Sequence, residues 1–223
     1  MMPTHKIHLV IAKRMSEILN MDLDELMLGS ILPDISKEKS HSKTHYQNNK
    51  PGIEGTANPE KFIEIHQKEL NNPLMMGYLL HLITDKFYNT YMFENFFIYD
   101  QAGNDIGLKI KGKEKILPFK KIKYYKHREF DLYDKWLLNN NKVPSFTSKE
   151  CIDKVKNIDA ATFDRERLSS YIDSHNKDVS KNNFFKKLTI YNYKLTTKKD
   201  LDNQLELCLK EIINYLNKID KSL

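Results

Sequence analysis

The sequence predicts an all-α protein, a multi-helix bundle with a small β-hairpin insertion, and three observations predict it. Apolar residues recur at helical spacing in several separate stretches. Gly and Pro are scarce, seven of each in 223 residues, so long helices run uninterrupted. The stretch 73–97 is apolar on almost every side, as expected of a helix at the centre of a protein. The length suits a single domain, 1–223, with ample chain to bury a core. We divide it into a helical core over about 3–140 and C-terminal helices over about 145–223.

The elements follow in order. Thr4 is a reasonable cap for a first helix over 4–19, with Ile7, Val10, Ile11, Met15 and Ile18 on its apolar stripe. A second helix starts near Met21, with Asp22 as cap and Leu23, Leu26 and Met27 as stripe. It is expected to stop at Pro33, because the residue before a proline is pushed out of the helical region. Residues 34–56 are polar and rich in Ser, Asn, Lys and His. They read as a long loop, and loops of that length are usually functional or disordered. Asn58-Pro59 opens a third helix carrying Phe62, Ile63 and Ile65, which runs to Asn71-Asn72. Pro73 opens the apolar fourth helix. A turn falls at 102–104, and 106–117 reads as a two-stranded hairpin with Gly112-Lys113 at its turn. Further helices are expected over about 124–138, 148–156, 161–174 and 198–219.

The charge balance, 36 Lys+Arg against 30 Asp+Glu, gives a formal net charge of +6. Lysines spread through the chain fit a solvated surface; an anionic substrate or a membrane surface is the alternative. Nothing announces nucleic acid, because no motif interleaves aromatic and basic residues. No long amphipathic basic helix announces a membrane. The two cysteines, Cys151 and Cys208, have no metal-type spacing and imply no disulfide framework. The N-terminal text MMPTHKIHLVIAKRM does not look like a signal peptide, and no segment reaches the roughly 18 apolar residues of a membrane span. These points predict a soluble, cytoplasmic protein without a transmembrane segment.

Chemistry is suggested by two His-x-x-x-Asp pairs. His81 and Asp85 share one face of the most hydrophobic helix, where an ionisable group is costly unless paired or bound to metal. A buried hydrogen-bonded pair joining two helices is the plainer alternative. His127 and Asp131 repeat the spacing on another helix. Their neighbours Lys126, Arg128 and Glu129 suggest surface charge, although Phe130, Tyr133, Trp136 and Leu137 give that helix an apolar face they could flank. Asp34, directly after Pro33, is held at a defined place; a local turn bond is the plainer role. His41 and His45 lie in the polar loop, and His5 and His8 are neighbours on one face of the first helix. As a set, imidazoles and carboxylates from several helices resemble a metal site in a helical bundle, suited to zinc, or to iron or manganese with more oxygen ligands.

The texts IHLVIA around His8, LGSILPD ending at Asp34, THY around His45, GYLLHLITD and KHREFDLYD stand in an order and spacing that resemble the zinc-dependent phospholipase C superfamily, related in fold to the P1-type zinc nucleases. The resemblance covers about residues 3–140. It implies a helical bundle of that type, a cluster of zinc ions (two, up to three) and hydrolysis of a phosphodiester or phospholipid head group. Carried onto this chain, it implies that Asp34, His45, His81 and Asp85 hold one metal, with Asp85 bridging. His127 and Asp131 would hold a second, and His8 matches the N-terminal helix ligand better than His5. Two departures stand out. The secreted relatives use a mature N-terminal amine as a ligand after losing a signal peptide. They also carry an extra His shortly after the first pair, where this chain has Asn89, a weaker oxygen ligand.

On this reading the protein is a zinc-dependent phosphodiester hydrolase. Asp34 orients or deprotonates a metal-bound water. Lys43 and Lys50 would help attract an anionic substrate. The alternatives are a metal-binding protein that has lost turnover and a metal-free helical interaction protein whose His–Asp pairs only join helices.

Overall fold

The computed structural model describes residues 4–37, 40–47, 56–181 and 191–220, in which nine α-helices accompany one three-stranded antiparallel sheet. Helix α1, His5–Leu19, buries Ile7, Val10, Ile11 and Met15 as the periodicity predicts, while Ile18 faces outward at 56% exposure. Asn20 ends it in the left-handed conformation, a common helix stop. Helix α2, Leu23–Gly29, is capped by Asp22, whose carboxylate accepts the Glu25 N–H at 2.9 Å.

Here the structure corrects the expected boundary. The second helix stops at Gly29, and Pro33 lies in the first turn of a separate short helix, α3, Leu32–Ile35. Proline fits there because a first-turn residue has no intrahelical partner for its N–H. The expected long loop also contains a helical turn, α4, His41–Thr44. Helix α5, Pro59–His66, starts at the Asn58 cap and passes into a 3₁₀ turn, Gln67–Glu69.

Helix α6, Pro73–Phe96, is the centre. Asn72 caps it, and both faces are buried from Leu74 to Asp85. It lies very close to α2: a Cβ on Gly77 would sit 2.3 Å from the Leu26 carbonyl oxygen, and one on Gly29 2.2 Å from that of Leu74. Glycine at both positions is what lets the two backbones touch.

The hairpin has one strand more than expected. As α6 ends, β1, Phe97–Tyr99, pairs antiparallel with β2, Asp105–Ile110, which pairs with β3, Lys113–Ile116. Its tight turn uses Lys111 and Gly112, both at positive φ. Helix α7, Phe119–Asn139, starts earlier than the apolar pattern suggested. The expected helix at 148–156 is a 3₁₀ turn, Glu150–Lys154. Asp24 accepts the N–H groups of Thr147 and Ser148, which fixes the chain just before it. Helices α8, Arg165–Ser180, and α9, Lys198–Asp220, complete the fold. One buried cluster joins residues of α1, α2, α6, α7, α8 and α9. Cys151 and Cys208 are buried and free. Among the described residues no helix is long and apolar enough to cross a membrane.

Candidate metal centre

The centre sits where α1 and the His41–His45 turn meet the middle of α6. His81 and Asp85 are one turn apart on α6, and both are fully buried. His8 of α1 lies against them, its ring stacked on that of His81 with centroids 4.0 Å apart. His45 closes the third side. Its turn is held by Tyr78, whose hydroxyl donates to the Thr44 carbonyl at 2.6 Å and whose ring stacks on Phe62. Tyr46, directly after His45, takes a positive φ of 52°, and its hydroxyl meets His66 at 2.9 Å. His66 therefore belongs to the packing, with Glu69 at its other nitrogen.

Three imidazole nitrogens converge on one carboxylate. His8 Nε2 is 3.2 Å from Asp85 Oδ1; His45 Nε2 and His81 Nε2 are 3.1 and 3.2 Å from Asp85 Oδ2. His45 Nε2 and His81 Nε2 stand 3.0 Å apart. The opposite edges of both rings face carbonyls: His81 Nδ1 donates to the Ser30 carbonyl at 2.8 Å, and His45 Nδ1 to that of His41 at 3.0 Å. With protons at Nδ1 alone, the two rings would present lone pairs to each other and to a carboxylate, so the cluster calls for a further proton or a cation. Neither Asp85 oxygen nor either His8 nitrogen has a hydrogen bond of proper angle.

The electrostatics follow the same crowding. Burial alone would lower the His81 pKa, but Asp85 and Asp34, with the Ser30 carbonyl, raise it to about 9. Burial, then the His81 charge, lowers His8 to about 4. Burial would raise Asp85, yet His81, His45 and His8 hold it well below the usual carboxylate range. In the metal-free chain the centre is thus one His81 imidazolium beside an ionised Asp85.

A second group opens to solvent. Asp34, 21% exposed at its side chain, is met by His5 Nε2 at 3.2 Å, by His45 Nε2 at 3.5 Å and by His41 Nε2 at 3.7 Å. The His41 and His45 rings stack at 3.5 Å. Burial would raise the Asp34 carboxyl, but His81 and His5 outweigh it and keep the group ionised. Two sets of three ligand atoms therefore lie close enough for one ion each: His8, His81 and Asp85, and Asp34, His41 and His45.

Five of the seven residues expected at the site come together: His8, Asp34, His45, His81 and Asp85. His127 and Asp131 join neither group. His127 is half-buried on α7 and Asp131 is exposed. The sequence had left His5 and His41 open, and the structure brings both to Asp34. Their spacing set them beside His8 and His45, but which of them meets Asp34 depends on how α1 and the 40–47 segment pack against α3. Asn89, the weak ligand expected one turn beyond Asp85, instead accepts from the Lys126 ammonium at 2.5 Å. Lys43 is exposed, and Lys50 lies outside the described residues. A groove of about 600 Å³ beneath Trp136, Tyr191 and Lys198 lies apart and is lined by neither His nor a carboxylate.

Compared with known protein families, curated proteins and solved structures, the chain matches none.

Proposed function

We propose that the protein is a metal-dependent hydrolase of phosphodiesters, with zinc as the preferred ion and two ions per chain. The observation that carries this reading is the surplus of acceptors around Asp85. His45 Nε2 and His81 Nε2 face each other at 3.0 Å, with both Asp85 oxygens alongside and without hydrogen bonds. One proton neutralises one or two of these atoms; a divalent cation satisfies all of them. The spacings of 3.0–3.2 Å also fit the donor set. Zn–N bonds of about 2.05 Å in a tetrahedron place ligand atoms about 3.3 Å apart. The carbonyls behind His45 and His81 fix the ring orientation, as outer partners of metal-bound imidazoles do.

His8, His81 and Asp85 would hold the enclosed ion, and Asp34, His41 and His45 the open one, with His45 and Asp85 at the join. The Lys126 amine occupies Asn89 one turn beyond Asp85, where a third ion would need that oxygen, which argues for two ions rather than three. Bound cations would supply a water of lowered pKa and a grip on phosphoryl oxygens. The chain's residues do the rest. Asp34 stays ionised and is a weak base, so its part is to orient. His5, 31% exposed and 3.2 Å from Asp34, is better placed to take a proton at the mouth.

The test is elemental analysis of wild type and His81→Ala, followed by hydrolysis of an activated phosphodiester by the zinc-loaded chain. About two ions in wild type, lost in the variant, together with zinc-dependent turnover, is the expected result. Metal without turnover on varied diesters would leave a metal-binding protein. A wild type that stays metal-free after reloading would leave only paired helices.

A further inference from the structure

The free edge of β3, with Lys113 and Lys115 on one sheet face and Ile116 on the other, and the start of α7 carry side chains that the metal centre does not use. Seven exposed lysines fall between Lys109 and Lys123, with Glu114 the sole acid among them. Segment 109–124 thus has a surplus of six positive charges, equal to the formal surplus of the whole chain. Large apolar side chains are exposed in the same stretch: Ile116 at 70%, Phe119 at 55% and Tyr124 at 60%. The other exposed large apolar residues among those described, Ile18, Ile65, Tyr99 and Leu207, are scattered along the chain.

Edge-strand lysines often serve only to block pairing with another sheet. That accounts for Lys113 and Lys115 on β3, which lie opposite Ile110 and Leu108 in register. It does not account for Lys120, Lys121 and Lys123 in the opening turns of α7. No acid is present in that helix's first turn, where the backbone N–H groups favour negative charge. Nor does it explain three bare apolar side chains among the lysines. The Lys123 ammonium lies 4.5 Å from the centre of the Phe119 ring, so charge and apolar surface are interleaved.

We propose that the free edge of β3 and the start of α7 dock on a bilayer carrying anionic lipids, with lysines from both sheet faces at the headgroup level and Ile116, Phe119 and Tyr124 entering the interface. Phosphate and carboxylate headgroups complement the charge. The apolar side chains find in the acyl boundary the burial they lack in the protein. A nucleic acid would complement the charge equally well, but aliphatic Ile116, the most exposed of the three, gains nothing from base stacking. The sheet follows the end of α6, about 16 Å along the helix from Asp85 at 1.5 Å per residue. The proposal is independent of the metal reading.

The experiment is co-sedimentation of the full chain with phosphatidylcholine vesicles, with and without phosphatidylserine, at low and high salt. Binding should require phosphatidylserine and weaken with salt. Lysines at a membrane surface contribute about fivefold each to partitioning. Changing Lys113, Lys115, Lys120 and Lys121 to Ala should therefore weaken binding by well over tenfold. Ile116→Ser with Phe119→Ser should also weaken it several-fold while the circular dichroism spectrum is unchanged. Absence of binding at low salt, or equal binding by the lysine variant, would overturn the proposal. So would a duplex nucleic acid that binds tighter than vesicles, with the serine pair having no effect.

Discussion

Two helices carry the same His-x-x-x-Asp spacing and put it to different ends. On α6 both members are shut away from water and meet two further histidines. On α7 His127 is half-buried and Asp131 exposed. The spacing does the same thing in both places: it sets the two side chains on one face. What differs is the helix around them. α6 is apolar on all sides and lies between α1, α2 and α5, so any face it offers is an inner face. α7 is amphipathic, with Ile122, Phe130, Tyr133 and Leu137 inward, and its His–Asp pair falls off that stripe. The fully buried carboxylate of α7 is Glu129, which accepts the N–H groups of Lys194, Leu195 and Thr196. Asp134, one turn past Asp131, is half-buried, with an Oδ1 closed to solvent and without a hydrogen bond.

The largest effect should come from breaking the α6 pair. Asp85→Asn removes the charge on which three imidazole nitrogens converge, so metal affinity should fall more than about hundredfold, beyond the range seen when only outer partners are changed. Titration of the metal-free chain with zinc reads this directly. If Asp85→Asn bound zinc as wild type does, the acceptor cluster would be an ordinary buried salt bridge and the contrast between the helices would lose its meaning.

This contrast also explains what could be read in advance. The central place of α6 was legible from 73–97, because a stretch apolar all round has nowhere else to go. His8 and Asp34 were legible from the resemblance, and the structure brings them to the cluster. The 3₁₀ turn that replaces the helix expected at 148–156 was not legible, because Asp24, more than 120 residues earlier, fixes the backbone there. That His5 and His41, both candidates in the sequence, would meet at Asp34 was equally hidden. Local spacing says which residues share a face; it does not say which faces meet.

The next effect concerns how α6 is held. His81 is oriented by the Ser30 carbonyl, and Ser30 reaches it only because Gly77 lets α2 lie against α6. A methyl at 77 would meet backbone atoms at 2.3 and 2.8 Å, with no flexible side chain to give way. Gly77→Ala should cost about 3 kcal/mol by denaturant unfolding, at the upper end for overpacking. It should also weaken zinc binding, since a shift of α2 moves the oxygen behind His81. A stability loss with unchanged zinc affinity would separate the helix contact from the site.

On α7 the matching test is Asp134→Asn. Burial is the main cause that raises the Asp134 carboxyl from 3.8 to about 7; Lys6 opposes it and Asp131 adds to it. Lys6 itself contacts His175 of α8 at 3.0 Å and feels Asp178. The folded state therefore holds this proton more tightly than the unfolded chain. The stability it brings is complete below pH 3.8 and is lost as pH rises through 7. Asn mimics the protonated acid, so the variant should match wild type near pH 4 and exceed it by about 2 kcal/mol at pH 8, allowing for partial screening. Parallel stability curves for the two proteins across that range would remove Asp134 as a titrating group.

The smallest effect should come from His127→Ala and Asp131→Ala. Each removes a side chain outside both ligand groups, so each should change stability by less than about 0.5 kcal/mol, as surface substitutions usually do. Zinc stoichiometry should stay that of wild type. The weight of this prediction lies in its contrast with Asp85→Asn, since motif and spacing are the same and only burial differs. If His127→Ala lost one ion of two, α7 would supply a ligand to the open position. His41, 37% exposed and 3.7 Å from Asp34, would then be the side chain to give way, being the loosest of those around that carboxylate.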